Sequence, residues 1–301
     1  MATFVLVHGA WHGGWCWAPL ERALRGGGHD VTSPTLTGLG ERSHLASPDI
    51  VPDTHVLDIV NHIKWKDLED IILVGHSYGG VIITGVAGRL PERIRTLVYL
   101  DAVVPEKSGV SAIADRNPER TGAFRAQLAN GGFMVEPDLF DAWSDDPDHL
   151  AWLRAKCTPH PMRCLIEGVT LTGREADVAD RHYILAERNK PSIFWEEYER
   201  VSTRPGWRCY TMPTKHDVMV EAPGHLPISC MAFRRAGDSR LKNDKHLSYG
   251  RQPNIVRKGE HCVSSGTLTF LKGSCGTPKS SHAAGNFPHD KQCSVSHGRT
   301  K

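Results

Sequence analysis

The chain has 301 residues, of which 40% are hydrophobic and 23% are charged, which is enough to bury one sizeable core. No apolar run approaches the ~20 residues that cross a bilayer, which excludes a protein built on membrane-spanning helices. The net charge of +2 conceals an asymmetry, because residues 1–225 hold 23 Lys and Arg against 30 Asp and Glu, whereas residues 226–301 hold 13 against 4. The two segments therefore differ in character.

The chain begins with a predicted strand. Residues 3–7 (TFVLV) are apolar throughout, as in a strand that is buried on both faces. The start lacks a basic region and a small-residue cleavage site, so we predict no signal peptide and a cytoplasmic location. The eight Cys residues follow no tight spacing pattern, and in a reducing compartment we expect free thiols.

Strands and helices alternate along the first hundred residues. The patterns predict a short helix at residues 20–24, a second strand at 30–34 and an amphipathic helix at 56–63. Two further strands are predicted at residues 71–74 and 96–101. This alternation indicates an α/β fold with a mainly parallel sheet and helices on both faces.

The alternation stops between about residues 105 and 180, where short helical pieces are broken by Pro and Gly. An insertion between two strands, on the side where loops carry function, commonly shapes a pocket. We therefore expect residues 105–180 to form a cap. Strands at residues 182–186 and 207–212 are predicted to complete the sheet.

We assign residues 1–227 to one α/β domain and residues 228–301 to a basic C-terminal tail of low order. The tail is rich in Ser, Gly and His and shows no sustained period of 2 or 3.6. Its Cys and His residues lack Cys-x2-Cys spacing, which disfavours a zinc site. It also lacks aromatic interleaving and an amphipathic helix, so we predict no specific nucleic-acid partner.

Residues 75–79 (GHSYG) stand between a predicted strand and a helix-like stretch. A G-x-S-x-G sequence in this context predicts a nucleophile elbow, a strained turn that places the serine hydroxyl outside the sheet. Glycines two residues before and after Ser77 remove side chains that would collide where strand and helix converge. Ser77 is the predicted nucleophile.

A serine nucleophile needs a base and donors for the oxyanion. In this type of fold the histidine lies in a loop after the last strand, and His216 is the best candidate among the seventeen histidines. We predict that His216 takes the Ser77 proton and returns it to the leaving group. The backbone N–H groups of Tyr78 and Ala10 are the predicted oxyanion donors.

Three carboxylates are candidates for the acid that orients His216. Asp101 ends the strand after the elbow strand, so its carboxylate is expected at the catalytic edge. Glu187 follows a later strand, in a loop where Asn189 stands and no aspartate is present. Asp217 neighbours His216 in the chain and is expected to face away. We favour Asp101, with Glu187 as the alternative.

The loop after the first strand is rich in aromatic side chains. Trp11, His12 and Trp15 are candidates for the wall of a substrate pocket, and packing of the loop onto the core explains the tryptophans equally well. His8 ends the first predicted strand, and we interpret it as a buried, hydrogen-bonded structural histidine. His76 is part of the elbow, and we expect its side chain to point away from Ser77 and to pack.

Together these motifs resemble the α/β-hydrolase superfamily. The resemblance spans about residues 1–226 and rests on residues 4–15, 74–80, 99–102 and 216–219. The branch it indicates holds plant methylesterases of the methyl-salicylate type, hydroxynitrile lyases and small bacterial esterases that attack xenobiotic esters and carbamates. It implies the α/β-hydrolase fold, with a mainly parallel sheet, helices on both faces and a cap insertion.

The resemblance also separates hydrolysis from lyase chemistry. Hydroxynitrile lyases of this branch carry a Thr in the first oxyanion loop and a Lys directly after the catalytic His. Here these positions hold Ala10 and Asp217, and an aspartate would repel a developing cyanide ion. Plant members place the acid where Asn189 stands, so that role does not transfer, while some lipases use the position of Asp101.

The predicted function is a serine carboxylesterase that cleaves small carboxylic esters through an acyl-enzyme, with no cofactor and no metal. One alternative is a xenobiotic hydrolase that uses the same triad on carbamate, amide, pyrethroid or organophosphate bonds. Another is a non-catalytic binder of small ligands. The expected partner is a small-molecule ester, and the expected assembly is a monomer or homodimer.

Overall fold

The computed structural model describes residues 1–227 and the backbone of residues 247–248. The chain divides into two units, residues 1–252 and 253–301, and the second lies wholly outside the described residues. The domain boundary after residue 227, the low order of the tail and the absence of a zinc site there therefore stay predictions.

A parallel sheet forms the centre of the first unit. Its strands are, in chain order, β1 (Thr3–Val7), β2 (Asp30–Thr32), β3 (Ile71–His76), β4 (Ile94–Leu100), β7 (Asp180–Ala186), β8 (Trp207–Met212) and β9 (Leu247–Ser248). Their order across the sheet is β2-β1-β3-β4-β7-β8-β9, and all six neighbouring pairs are parallel. The predicted α/β fold is confirmed.

The prediction that residues 207–212 form the last strand is wrong. Strand β9 follows it and pairs in parallel with β8, with Leu247 opposite Tyr210 and Ser248 opposite Thr211. A two-residue strand is too short to produce an alternating pattern, which is why the sequence did not reveal it.

Two apolar clusters lie on opposite faces of the sheet because side chains alternate along each strand. In β1, Phe4 and Leu6 join the cluster of the first helix, while Val5 and Val7 join the cluster of the next two helices. The helices are α1 (Ala18–Gly26), α2 (Pro52–Trp65), α3 (Gly79–Arg89), α4 (Ala112–Arg116), α5 (Pro118–Ala129), α6 (Phe140–Trp143), α7 (Pro147–Lys156), α8 (Arg163–Ile166), α9 (Ile193–Ser202) and α10 (Val218–Glu221).

The segment between β4 and β7 holds the short helices α4 to α8 and a separate antiparallel pair, β5 (Met134–Val135) and β6 (His160–Pro161). It corresponds to residues 105–180, called the cap below. The cap packs on the sheet domain, with Trp143 and Leu153 buried in the same apolar cluster as Val5 and Val7 of β1.

Two further findings bear on the class of protein. Within residues 1–227 the four cysteines, Cys16, Cys157, Cys164 and Cys209, are free thiols. None of the helices in the described part of the chain is long and apolar enough to cross a membrane.

Candidate active site

Ser77 occupies the sharp turn between β3 and α3. Its φ angle is +54°, in the left-handed region that non-glycine residues rarely adopt. The turn is held on both sides, because the Ser77 amide donates to the Leu100 carbonyl at 3.2 Å and the Ser77 carbonyl accepts from the Val103 amide at 3.1 Å. These bonds to the end of β4 and the loop behind it stabilise the strained conformation.

Glycine is required where backbone segments converge beneath the serine. A Cβ on Gly79 would lie 2.5 Å from the Val7 carbonyl oxygen, and a Cβ on Gly75 would lie 2.5 Å from the Gly79 carbonyl oxygen. A Cβ on Gly9 would lie 2.9 Å from the Ser77 Cβ. The loop after β1 therefore approaches Ser77 as closely as backbone can, which brings its amide groups beside the hydroxyl.

Asp101 lies directly after β4 and is fully buried. Its φ angle of +42° turns the chain out of the strand, and its amide donates to the Ile184 carbonyl at 2.7 Å. Oδ2 of Asp101 lies 2.6 Å from Nδ1 of His216, and a carboxylate can only accept in this contact. Nδ1 of His216 therefore carries the hydrogen, which leaves Nε2 free to act as a base.

Two further donors hold the Asp101 carboxylate. The Ala186 amide donates to Oδ1 at 3.1 Å, and Nδ2 of Asn189 donates to Oδ2 at 2.7 Å. Nδ2 of Asn189 also lies 3.2 Å from Nδ1 of His216. The sequence shows only that Asn189 stands where an acid is absent, and its role as a donor depends on contacts between loops that are distant in the chain.

The other two acid candidates lie elsewhere. Glu187 is half-buried, and within residues 1–227 its side chain makes no hydrogen bond with His216. The Asp217 carboxylate lies 3.4 to 4.0 Å from ring nitrogens of His12, His76 and His149. This agrees with the expectation that it faces away from His216. The geometry favours Asp101 as the orienting acid, and the assignment remains a prediction.

Two backbone amides next to Ser77 are free to donate. Within the described part of the chain, the amides of Ala10 and Tyr78 have no hydrogen-bond acceptor, although both residues are buried. Buried amides without a partner are rare in folded proteins. Ala10 borders the cavity above Ser77, and Tyr78 directly follows Ser77 in the chain, which is consistent with their predicted role.

The loop after β1, which carries the Ala10 amide and is called the oxyanion loop below after its predicted role, is attached to the cap through Trp11. Trp11 is a left-handed residue with a φ angle of +64°. Its amide donates to Nδ1 of His160 at 3.3 Å, and its indole Nε1 donates to the Val135 carbonyl at 2.9 Å. Its carbonyl accepts from the Thr158 amide at 3.0 Å. Three cap residues thus stabilise the backbone turn that carries the Ala10 amide.

A small cavity lies above Ser77, with about 10 Å³ of room for the centre of a water molecule. Its walls include the predicted pocket residues Trp11 and His12, together with Trp143 of the cap, which the sequence analysis missed. Trp15 is not in this wall. Its ring stacks on His12 at 5.5 Å and meets Trp152 edge-on at 4.8 Å, so it supports the wall from behind.

His216 is held between two rings. Phe194 stacks on it at 4.7 Å with an interplanar angle of 16°, and the His76 ring centroid lies 4.4 Å away. Nε2 of His76 donates to the His216 carbonyl at 3.0 Å. His76 packs against His216, the predicted base, and it also borders the cavity that contains Ser77.

His8 is a buried structural residue, as expected. Its Nδ1 donates to the Gly9 carbonyl at 2.8 Å, and its Nε2 accepts from the Leu36 amide at 3.1 Å. Burial lowers the pKa of His8 to about 3, so it stays neutral. Within residues 1–227 no cluster of three or more metal-ligating side chains occurs.

Comparison with known proteins gives a consistent result. The alpha/beta hydrolase family profile matches residues 4–233. The chain is 41% identical over 238 residues to the carbendazim hydrolyzing esterase of Nocardioides sp. (strain SG-4G), covering 75% of this chain and 97% of that protein. It is 37% identical over 250 residues to methyl jasmonate esterase 1 of Vitis vinifera, covering 75% and 90%.

Solved structures agree on the fold. An extracellular alpha/beta-hydrolase from a Paenibacillus species superposes with a TM-score of 0.67 at 24% identity, covering 78% of this chain and all of the other. The elbow, the parallel sheet and the family match agree, and the resemblance inferred from the motifs is confirmed. The chain belongs to the alpha/beta hydrolase family.

Proposed function

We propose that the protein is a serine carboxylesterase that cleaves small carboxylic esters through an acyl-enzyme. The observation that carries the proposal is the 2.6 Å contact between Asp101 and His216 beside the Ser77 turn. It leaves Nε2 of His216 available as a base, which an esterase requires and a simple binding site does not.

The steps follow from the geometry. His216 removes the Ser77 proton as Oγ attacks the ester carbonyl, and Asp101 stabilises the imidazolium that forms. The amides of Ala10 and Tyr78 donate to the oxygen that becomes negative. His216 then protonates the departing alcohol, and the acyl group stays on Ser77. Water attacks this acyl-enzyme with His216 again as base, which releases the acid and restores the serine.

The relatives support ester hydrolysis and add a second candidate. Over nearly its whole length the Nocardioides protein is similar to this chain, and it is named for the hydrolysis of carbendazim. We therefore propose carbamates as the second substrate class, cleaved by the same residues. A lyase reaction is disfavoured, because the buried carboxylate of Asp217 follows His216 where a cation would be needed to hold cyanide.

The experiment compares wild-type protein with Ser77→Ala on p-nitrophenyl acetate, methyl esters of aromatic acids, and carbendazim. A fluorophosphonate probe followed by peptide mass analysis reports the nucleophile. We expect wild-type turnover, label on the peptide that contains Ser77, and loss of both in the variant, by at least about 10³-fold in rate. Label or turnover that survives in Ser77→Ala overturns the proposal.

A folded wild-type protein that binds esters without hydrolysing them would indicate the non-catalytic alternative. A cytoplasmic location, degradation of xenobiotics, and a monomeric or homodimeric state belong to the same proposal. Size-exclusion chromatography with light scattering measures the assembly, and fractionation of cells that express the native gene measures the location.

A further inference from the structure

A buried carboxylate that the catalytic steps do not use lies directly after the catalytic histidine. Asp217 is fully buried, and its carboxylate faces three histidines from three different parts of the chain. The distances are 3.4 Å from Oδ2 to Nε2 of His12, 3.8 Å from Oδ2 to Nε2 of His149, and 4.0 Å from Oδ1 to Nε2 of His76. A buried carboxylate requires charged or donating partners.

His12 is the partner that supplies the charge. Its Nδ1 lies 2.8 Å from the Ala10 carbonyl oxygen, and its Nε2 lies 3.4 Å from the Asp217 carboxylate. Both partners can only accept, so both ring nitrogens of His12 donate and the ring is an imidazolium. Burial opposes this charge, but the charge and hydrogen bond of Asp217 raise the pKa of His12 above its ordinary value.

The same electrostatics act on Asp217. Burial alone would raise its pKa, but the charge and hydrogen bond of His12 lower it to about 2. His76 is neutral, because burial and the nearby His216 hold its pKa well below the ordinary value. Burial also lowers the pKa of His149. His12 and Asp217 therefore form the ion pair of this cluster.

The ion pair connects the loop that carries the Ala10 amide with the segment that carries His216. On one side, His12 fixes the Ala10 carbonyl, which lies one peptide unit from the Ala10 amide and directly before left-handed Trp11. On the other side, Asp217 is bonded to His216 in the chain, and its amide donates to the Trp143 carbonyl at 3.2 Å. The oxyanion loop and the base are thereby tied together through two side chains.

The ring of His12 has little freedom to leave this arrangement. Trp15 stacks on it at 5.5 Å with an interplanar angle of 21°, and Trp143 contacts it at 4.9 Å. Its exposed fraction is 2%. The imidazolium is thus enclosed by aromatic rings, with Asp217 as the counter-ion.

We propose that His12 and Asp217 are positioning residues for the esterase reaction: as a buried ion pair they set the Ala10 amide and His216 at the separation that the tetrahedral intermediate needs. The inference rests on the proposed function. Neither side chain reacts with the substrate. Their contribution appears only where an oxyanion and a protonated base are present together, which is the transition state.

The test uses His12→Gln, Asp217→Asn and the double variant in the full chain. We expect each single variant to lower kcat by about 10²-fold, comparable to loss of one oxyanion donor, with KM changed by less than about threefold. The Ki of an alkyl trifluoromethyl ketone, which forms a hemiketal oxyanion on Ser77, should rise in parallel with the loss of kcat. The Ki of the corresponding methyl ketone should not change.

Two comparisons make the test specific. His149→Gln removes another histidine from the same carboxylate without touching the oxyanion loop, so its kcat should stay within about threefold of wild type. The double variant should be no slower than the slower single variant, because the two residues act as one unit. It also leaves no lone buried charge, so it keeps the test valid if a single variant fails to fold.

The proposal is overturned if folded variants keep wild-type kcat, if their losses multiply in the double variant, or if the two ketones lose affinity equally. These outcomes differ from failure of the proposed function, in which wild-type protein itself neither hydrolyses esters nor reacts with the fluorophosphonate. In that case the ion pair has no reaction to serve, and the inference falls with it.

Discussion

Nδ1 of His216 and Oδ2 of Asp101 lie 2.6 Å apart although the two residues are 115 positions apart in the chain. The contact exists because β4 and β8 end at the same edge of a parallel sheet, with only β7 between them. The proposed acid therefore follows β4, which is the neighbour of the strand that leads to Ser77. The loop after β7 contributes Asn189, which is a neutral donor to Asp101.

The first prediction concerns the acid. Asp101→Asn should lower kcat by about 10⁴-fold, because an amide cannot stabilise the imidazolium and can hold the wrong tautomer of His216. Glu187→Gln, the matched control at the alternative acid, should leave kcat within about twofold. Steady-state hydrolysis of p-nitrophenyl acetate measures both. The reverse ranking would assign the acid to Glu187.

The second prediction concerns Asn189. Asn189→Ala removes one of the donors to Asp101 and should lower kcat by about tenfold, the effect of a lost hydrogen bond to a charged group. Asn189→Asp should instead move the acid limb of the kcat/KM profile to higher pH. A second carboxylate near His216 raises the pKa of the imidazole, so its neutral form appears only at higher pH.

Asn130→Ala, at an exposed helix end, is the control for both changes. A pH profile of Asn189→Asp that coincides with the wild-type profile would show that residue 189 is electrostatically remote from the base.

The third prediction concerns acid stability. Burial lowers the pKa of His8 to about 3 and of His55 to about 4, and it holds the pKa values of His76 and His160 well below the ordinary value. These groups take up protons only on unfolding, so stability is lost as pH falls below ~6.5, by about 1.4 kcal/mol per pH unit for each fully titrating group.

Urea unfolding at several pH values between 7.5 and 5 measures this slope. His55→Gln should reduce the slope of the free energy of unfolding against pH by about the contribution of one proton. His44→Gln, at an exposed position, should not change this slope. A free energy of unfolding that stays constant from pH 7 to pH 5 would contradict the prediction.

The fourth prediction concerns the cavity wall. Trp143→Ala removes a large buried ring that borders the cavity above Ser77. The ratio of kcat/KM for p-nitrophenyl hexanoate to that for the acetate should rise by about tenfold or more, since each added methylene is worth that order in a pocket that accepts it.

Trp65→Ala is the control for this change, because the Trp65 side chain is 86% exposed on the surface. Its chain-length preference should equal that of wild-type protein. An unchanged preference in Trp143→Ala would mean that another part of the cap limits the acyl group.

Those residues of the site that belong to a local sequence motif can be predicted from the sequence. The elbow at Ser77 depends on a strand, two glycines and a helix within residues 71–89, and each leaves a local pattern. Asp101 is favoured because it ends the strand that follows the elbow strand, which puts its carboxylate at the catalytic edge. Ala10 and Tyr78 are predicted as donors from their places in the loop after β1 and directly after Ser77, and these roles stay predictions.

The remaining parts depend on contacts between distant segments. Trp143 belongs to a four-residue helix of the cap, and nothing in its local sequence indicates that it borders Ser77. The ion pair of His12 and Asp217 joins residues 205 positions apart, and its charge state depends on burial. The sequence predicts Trp15 in the pocket wall, because aromatic residues of a loop show the same pattern whether they face a cavity or pack on a neighbouring ring.

Three cap residues hold Trp11, and the segment that contains them also closes the space above Ser77. The cap segment that borders the acyl space is thus also the support of the turn that carries the Ala10 amide. A substitution in this segment can therefore change the choice of substrate and the position of that amide together.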